Sequence, residues 1–201
     1  MKNIPALDPK VLDLVTEISK EPKVEAAMAF IKDQTEVAMQ EQIELCEIEA
    51  PTFHEEKRAA SVAERMKQYG LTDVHIDEIG NVIGIRKGTG SGPVLAIGAH
   101  MDSVFPAGTD VKVKKEGNIY RAPGIGDNCS GLRALLQVLR AMEKEDIRTV
   151  GDIWFVGTVG EEGNGDIRGS KHLCANNKLD GFVAIDSTDV GRVLYGAVGS
   201  H

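Results

Sequence analysis

The chain has 201 residues, 42% of them hydrophobic and 27% charged, and a formal net charge of −8. Its pI near 5.2 and mean hydropathy of −0.16 argue against nucleic acid or an anionic membrane as the main partner, since both repel a net anion. No apolar run is long enough to span a bilayer, and one well-cored domain is the expected scale of organisation. The N-terminal "MKNIPALDPKVLDLV" lacks the continuous apolar core of a signal peptide and carries Asp8 and Asp13. Cys46, Cys129 and Cys174 are odd in number and far apart, so they read as thiols and not as a disulfide framework. These two features together give a cytoplasmic location as the expectation.

Taken in chain order, the first third reads as helical. "DPKVLDLVTEISK" opens on an Asp-Pro pair suited to a helix N-terminus. Between Lys23 and Glu49, Ala27, Phe30, Ile31, Val37, Ala38, Ile43, Leu45 and Cys46 recur at mixed three- and four-residue steps, which predicts one or two amphipathic helices. "APTF" breaks the pattern. A helix from Glu55 to Tyr69 follows, with Ala59, Val62, Ala63 and Met66 on one face and Gly70 at its stop. Two strands are expected around "DEIGNVIGIRKG", with Gly80-Asn81 as the turn, and "GTGSG" reads as a loop.

The aliphatic run from Val94 to Ile97 predicts a buried strand. "VKVKKEGNIYRAPG" predicts a hairpin or short excursion around Glu116-Gly117-Asn118, and "SGLRALLQVLRAMEKE" a helix with Leu132, Leu135, Leu136, Leu139 and Met142 at helical spacing. "GDIWFVGTVG" reads as a strand, "GSKHLCANN" as a short helix, and "GFVAIDS" and "GRVLYGAVG" as two more strands. Alternation of this kind predicts an α/β fold: a three-layer α/β/α sandwich with a mostly parallel central sheet and helices on both faces.

Four places at the ends of these elements share one chemical character. His100 and Asp102 end the strand that starts at Val94, and two residues apart in a strand means the same face. Asp127 sits in the glycine-rich "GIGDNCSG" before a helix; Glu161 and Glu162 follow "GDIWFVGTVG"; Asp186 ends "GFVAIDS". Each has an ordinary structural explanation by itself: a hydrogen-bonded His, a helix N-cap, a solvated acidic pair, a turn-forming Asp. Strands of one parallel sheet share a C-terminal edge, however, so all four places converge there. Five carboxylates gathered with one imidazole in one crevice repel one another by about 4 kcal/mol per contact pair, and one or two divalent metal ions relieve that repulsion. Imidazole with carboxylate oxygens suits zinc, and also manganese or cobalt. Glu161 and Glu162 point different ways at a strand end, so one can be a ligand while the other takes a proton from a metal-activated water. Asp102 can reach the imidazole as an orienting group.

"GAHMDSVFPAGTD", "GIGDNCSG", "GTVGEEGNGDIRGSKHL" and "AIDS" resemble, in order and spacing, the co-catalytic zinc exopeptidase and amidohydrolase family. That family includes tripeptide aminopeptidase, carboxypeptidase G, carnosinase-type dipeptidases, aminoacylase and acetylornithine deacetylase. The resemblance runs from about Ile43 to His201 and leans weakly to the tripeptidase-like branch. It implies His100 and Asp186 on one metal, Asp127 bridging, Glu162 on a second metal, Glu161 as general base, Asp102 orienting His100, and a cis peptide between Asp127 and Asn128. It implies two divalent ions, most naturally zinc, and short peptides or N-acyl amino acids as substrates.

Members of that family run to about twice this length, with a lid domain inserted after the strand that ends near Gly199 and a later second His. Residues 1–201 are therefore expected to be the N-terminal portion of a metallopeptidase catalytic domain, without the lid or the C-terminal part. His54, His75 and His172 are expected away from the missing ligand's place, which leaves the second metal site incomplete and the chain of low activity. A non-catalytic metal- or peptide-binding fragment is the alternative, and self-association into a homo-oligomer is expected of an uncompleted sheet.

Overall fold

The computed structural model describes residues 8–186, and the strand expected at "GRVLYGAVG" lies outside them, as does His201. Four helices lead: α1 (Pro9–Ser19), α2 (Pro22–Asp33), α3 (Thr35–Cys46) and α4 (Glu56–Gln68). The apolar steps between Lys23 and Glu49 resolve into two helices, with Gln34 closing α2 and opening α3. Gly70 takes φ 105° just after α4, and the Leu71 N–H turns back to the Met66 carbonyl at 3.1 Å. That left-handed residue satisfies the helix's last carbonyls, and a Cβ there would be strained.

Strands β1 (Asp73–Ile76), β2 (Val82–Arg86), β3 (Leu95–His100), β6 (Ile153–Thr158) and β7 (Gly181–Ala184) form one sheet in the order β1-β2-β6-β3-β7. β3 pairs in parallel with both β6 and β7, while β2 pairs antiparallel with β6 and with β1. Four strands thus run one way and β2 against them, which is the mostly parallel sheet expected. The expected hairpin is the separate pair β4 (Lys114–Glu116) and β5 (Ile119–Arg121).

The β1–β2 connection differs from the two-residue turn expected. It spans 77–81, because Asp77 Oδ1 accepts the N–H groups of Ile79 and Asn81 at 3.1 and 2.8 Å and closes a longer loop. Such an Asp-capped turn competes with the tight hairpin.

Helices cover both faces. α4 and α5 (Cys129–Lys144) lie on one, and Leu45, Val62, Met66, Leu132, Leu135, Leu136, Leu139 and Phe155 make the larger core there. On the other face Ile83, Ala96, Val156 and Leu173, the last from α6 (Arg168–Asn176), form a smaller cluster. Alternation along β2 and β6 divides the two: Val82 and Phe155 point to the first core, Ile83 and Val156 to the second. α1 adds nothing to either core, and its Leu14 is 53% exposed.

The register sets the site. His100, the last residue of β3, pairs with Thr158, the last of β6, and the Ile185 N–H donates to the Gly98 carbonyl at 2.7 Å. Three parallel strands therefore end side by side, the edge at which α/β sheets bind ligands. Leu135→Ala, at a position with no exposure, is expected to cost about 2–5 kcal/mol of unfolding free energy. Leu14→Ala should stay within about 0.5 kcal/mol. Urea melts of both variants make the comparison.

Candidate active site

Each chemical group at this edge is placed by a local reason. His100 is 4% exposed and Asp102 has no exposure, because β3 is an interior strand between β6 and β7 and delivers them between neighbours. Arg58 of α4 fixes the exit of β3: its guanidinium donates to the Met101 carbonyl at 2.6 Å and to the Ile48 carbonyl at 2.5 Å. His100 Nε2 lies 2.9 Å from Asp127 Oδ1 and 3.8 Å from Asp186 Oδ1. Its Nδ1 lies 3.1 Å from the Asp102 carbonyl and 3.5 Å from Asp102 Oδ1.

Asp127 is not the helix cap. Asn128 caps α5, its side chain accepting the Gly131 N–H at 3.0 Å, and its Nδ2 donates to the Ile185 carbonyl at 2.8 Å. One asparagine thus ties the start of α5 to the end of β7, carrying Asp127 and Asp186 to the same imidazole. A Cβ on Gly131 would come 2.1 Å from Asn128 Oδ1, so a side chain there would break the cap. The Asp127–Asn128 peptide is cis, as the resemblance implied.

Asp102 does more than face the imidazole. Its Oδ1 accepts the Glu161 N–H at 2.9 Å, and its Oδ2 accepts the Glu162 N–H at 3.0 Å and the Thr52 hydroxyl at 3.0 Å. Glu55, 4% exposed, accepts the Gly160 N–H at 3.0 Å and the Arg168 guanidinium at 3.1 Å. Asn81 accepts the Val159 N–H at 3.1 Å. Four consecutive positions after β6, Val159 to Glu162, are therefore held by three buried side chains. Glu55, Arg58, Asn81 and Thr52 carried no signal in the sequence, since each stands in an unremarkable context and matters only through a contact across the fold.

Donor atoms of His100, Asp127 and Glu162 lie within 4.8 Å of one another, so these three can close on one ion or on neighbouring ions. Asp186 belongs to the same crevice through His100, while Glu161 stands beside it, half-buried. Among the other described histidines, His75 pairs with Asp73 at 3.7 Å and His172 with Glu78 at 2.9 Å, and His54 is exposed.

The electrostatics show excess negative charge. Burial would push the His100 imidazole down, but hydrogen bonds and charge from Asp102 and Asp186 outweigh it and hold the ring up to about 11. Burial also raises Glu161, with His100 pulling it back and Asp186, Asp102 and Asp127 pushing it further. Burial and the charge of Asp127 raise Glu162, against the pull of His100. Asp102 is the exception: burial pushes it up, but His100 and the amides of Glu161 and Glu162 bring it below the usual carboxylate range. A crevice that keeps a proton on an imidazole in this way is one that a divalent cation would neutralise instead. One imidazole with carboxylate oxygens is also a donor set such ions accept, so the residues fit the group.

Comparisons with known proteins point the same way. Residues 96–197 match the peptidase family M20/M25/M40. The chain is 35% identical over 120 residues to a protein of Pyrococcus abyssi named as a LysW-lysine/LysW-ornithine hydrolase, covering 60% of this chain and 32% of that one. It is 30% identical over 135 residues to an N-carbamoyl-L-amino-acid amidohydrolase of a Pseudomonas species, covering 65% of this chain and 28% of that one. The solved structure of a Staphylococcus aureus tripeptidase superposes with a TM-score of 0.62 at 31% identity, over 76% of this chain and 43% of that one. This chain therefore spans about a third of the length of the curated relatives it matches.

Asp102→Asn keeps the size of the side chain but removes the charge that anchors the amides of Glu161 and Glu162. It is expected to weaken divalent-ion binding about 10–100-fold while leaving the far-ultraviolet circular dichroism unchanged. Competition titration of zinc against a chromogenic chelator measures the loss.

Proposed function

From the membership of this chain in peptidase family M20/M25/M40, we propose that it carries the catalytic residues of a metal-dependent hydrolase. Its substrates would be the amide bonds of short peptides or N-acyl amino acids. The observation that supports this most is the convergence of His100, Asp127 and Glu162 within 4.8 Å in a crevice of excess negative charge. In this reading His100 and Asp186 hold one divalent ion, Asp127 bridges, and Glu162 holds a second. Zinc is the ion proposed, with manganese or cobalt as substitutes. Such ions would lower the pKa of water and polarise the scissile carbonyl.

Glu161 is the proposed general base. Its raised pKa suits a carboxylate that must accept a proton from the attacking water and return it to the leaving amine. Asp102 keeps the imidazole in one orientation through Nδ1 and, through the two amides, keeps Glu161 and Glu162 divergent.

Among the described residues the second ion would have Asp127 and Glu162 alone, fewer protein ligands than a stable site needs. We therefore propose low turnover for these 201 residues by themselves and read them as the N-terminal portion of the catalytic domain. A cytoplasmic setting and self-association into a homo-oligomer belong to the same proposal. No helix among the described residues is long and apolar enough to cross a membrane.

Two measurements test the reading. Calorimetric titration should show zinc binding that His100→Ala or Asp127→Asn weakens by more than the loss of an outer partner does, that is, beyond about 10–100-fold. Glu161→Gln should leave that binding intact while removing about 10²–10⁴-fold of whatever hydrolysis of di- and tripeptides or N-acetyl amino acids the chain shows. A chain that binds no divalent ion, or one whose hydrolysis survives Glu161→Gln, overturns it.

A further inference from the structure

Beside the crevice, the chain runs from Pro51 to Phe53 along the segment that leaves β3. Pro51 and Ser103 form a parallel bridge, and the Ser103 N–H donates to the Ala50 carbonyl at 2.9 Å. Between these two segments and the turn after Glu162 lies a cavity of about 330 Å3. Pro51, Phe53, Val104, Phe105 and Pro106 supply its apolar lining, and Glu162 shares it with the ion site. Phe53 is 50% exposed and Val104 62% exposed. Large apolar side chains left uncovered against a charged site are the usual make-up of a ligand pocket, apolar walls with a few polar groups at one end.

The backbone of Phe53 adds an independent observation. It takes φ 76°, a left-handed conformation that is a genuine outlier for a bulky residue and persists only where its surroundings enforce it. The enforcing group is visible. The Phe53 N–H donates to Glu55 Oε1 at 3.1 Å, and that oxygen also accepts the Gly160 N–H and the Arg168 guanidinium. Arg168 in turn lies over the Phe53 ring, with Cζ 4.9 Å from its centroid. The carboxylate that fixes the residue before Glu161 therefore also fixes the ring at the pocket. Neither packing of the core nor the sheet requires Phe53 to be there, since half of it faces solvent. The position of the ring is maintained relative to the reacting groups.

We propose that this cavity receives an apolar side chain of the substrate, aliphatic or aromatic, next to the scissile amide, and that Phe53 is the specificity-determining wall. This rests on the hydrolytic reading above. Acidic side chains are disfavoured, because the apolar walls formed by Pro51, Phe53, Val104, Phe105 and Pro106 would leave a carboxylate poorly solvated. Burying a leucine or phenylalanine side chain there, in place of nothing for glycine, should be worth about tenfold in affinity.

The test is binding of amino-acid hydroxamates to the zinc-loaded chain, followed by calorimetry. Leucine and phenylalanine hydroxamates are expected to bind about tenfold tighter than glycine hydroxamate, with the aspartate compound weakest. In Phe53→Ala the leucine-to-glycine margin should fall below about threefold. Val104→Ser, at a more exposed position, should narrow it in the same direction and decides the matter if Phe53→Ala loses its fold by circular dichroism. Equal affinity for leucine and glycine hydroxamates in the unaltered chain overturns the pocket while leaving the hydrolase reading standing. A margin that survives both substitutions does the same. Zinc uptake with no hydroxamate binding at all overturns the pocket, whereas a chain that takes up no zinc overturns the hydrolase reading.

Discussion

The carboxylate of Asp102 is the contact through which this crevice is assembled. It has no solvent exposure, and it accepts from Thr52, from the amides of Glu161 and Glu162, and faces His100 Nδ1. These partners come from three separate stretches: the loop before α4, the end of β3, and two successive positions after β6. A buried carboxylate is expensive unless its oxygens are fully used, and here they are. The cost of desolvating it is met by two amides and a hydroxyl, so the charge stays ionised while holding acidic neighbours at fixed positions. An apolar residue in its place would leave two half-buried amides without this acceptor.

The remaining acids then face a different problem. Asp127, Glu162 and Asp186 surround one imidazole, and neighbouring carboxylates raise its pKa and favour its charged form. Such a balance is available to a cation as well as to a proton. The fold spends its polar side chains on geometry: Asn128 joins α5 to β7, Glu55 and Asn81 hold the strand exit of β6, and Arg58 holds that of β3. Each is buried and each bonds to backbone, so the loops that carry chemistry are fixed by side chains from helices and strands, which are the rigid parts.

Glu55 extends that logic beyond the ion site. Its carboxylate serves Gly160 and Phe53 together, so one group holds both the strand exit and the aromatic wall of the neighbouring cavity. Arg168 completes the arrangement from α6, paired to Glu55 and set over the Phe53 ring. Charge and aromatic surface at the two sides of Glu162 are therefore coupled through one ion pair.

The sequence by itself determined the elements and the edge. Aliphatic runs bounded by glycine at Val94 and Ile153, and leucines at helical spacing after Ser130, specify buried strands and an amphipathic helix because burial follows period. Once three parallel strands are given, their C-terminal ends must lie together, so the convergence of His100, Glu162 and Asp186 follows from topology. The length of the 77–81 loop, the capping of α5 by Asn128 in place of Asp127, and the groups that hold each acid were decided only by the tertiary structure. Thr52 acts on the Asp102 carboxylate 50 residues away, and Glu55, Arg58 and Asn81 act on backbone 105, 43 and 78 residues away. A hydrogen bond of that reach leaves no period and no spacing in the sequence. It depends on which surfaces the packed helices and sheet bring within 3 Å of one another, and that is settled only when the core closes.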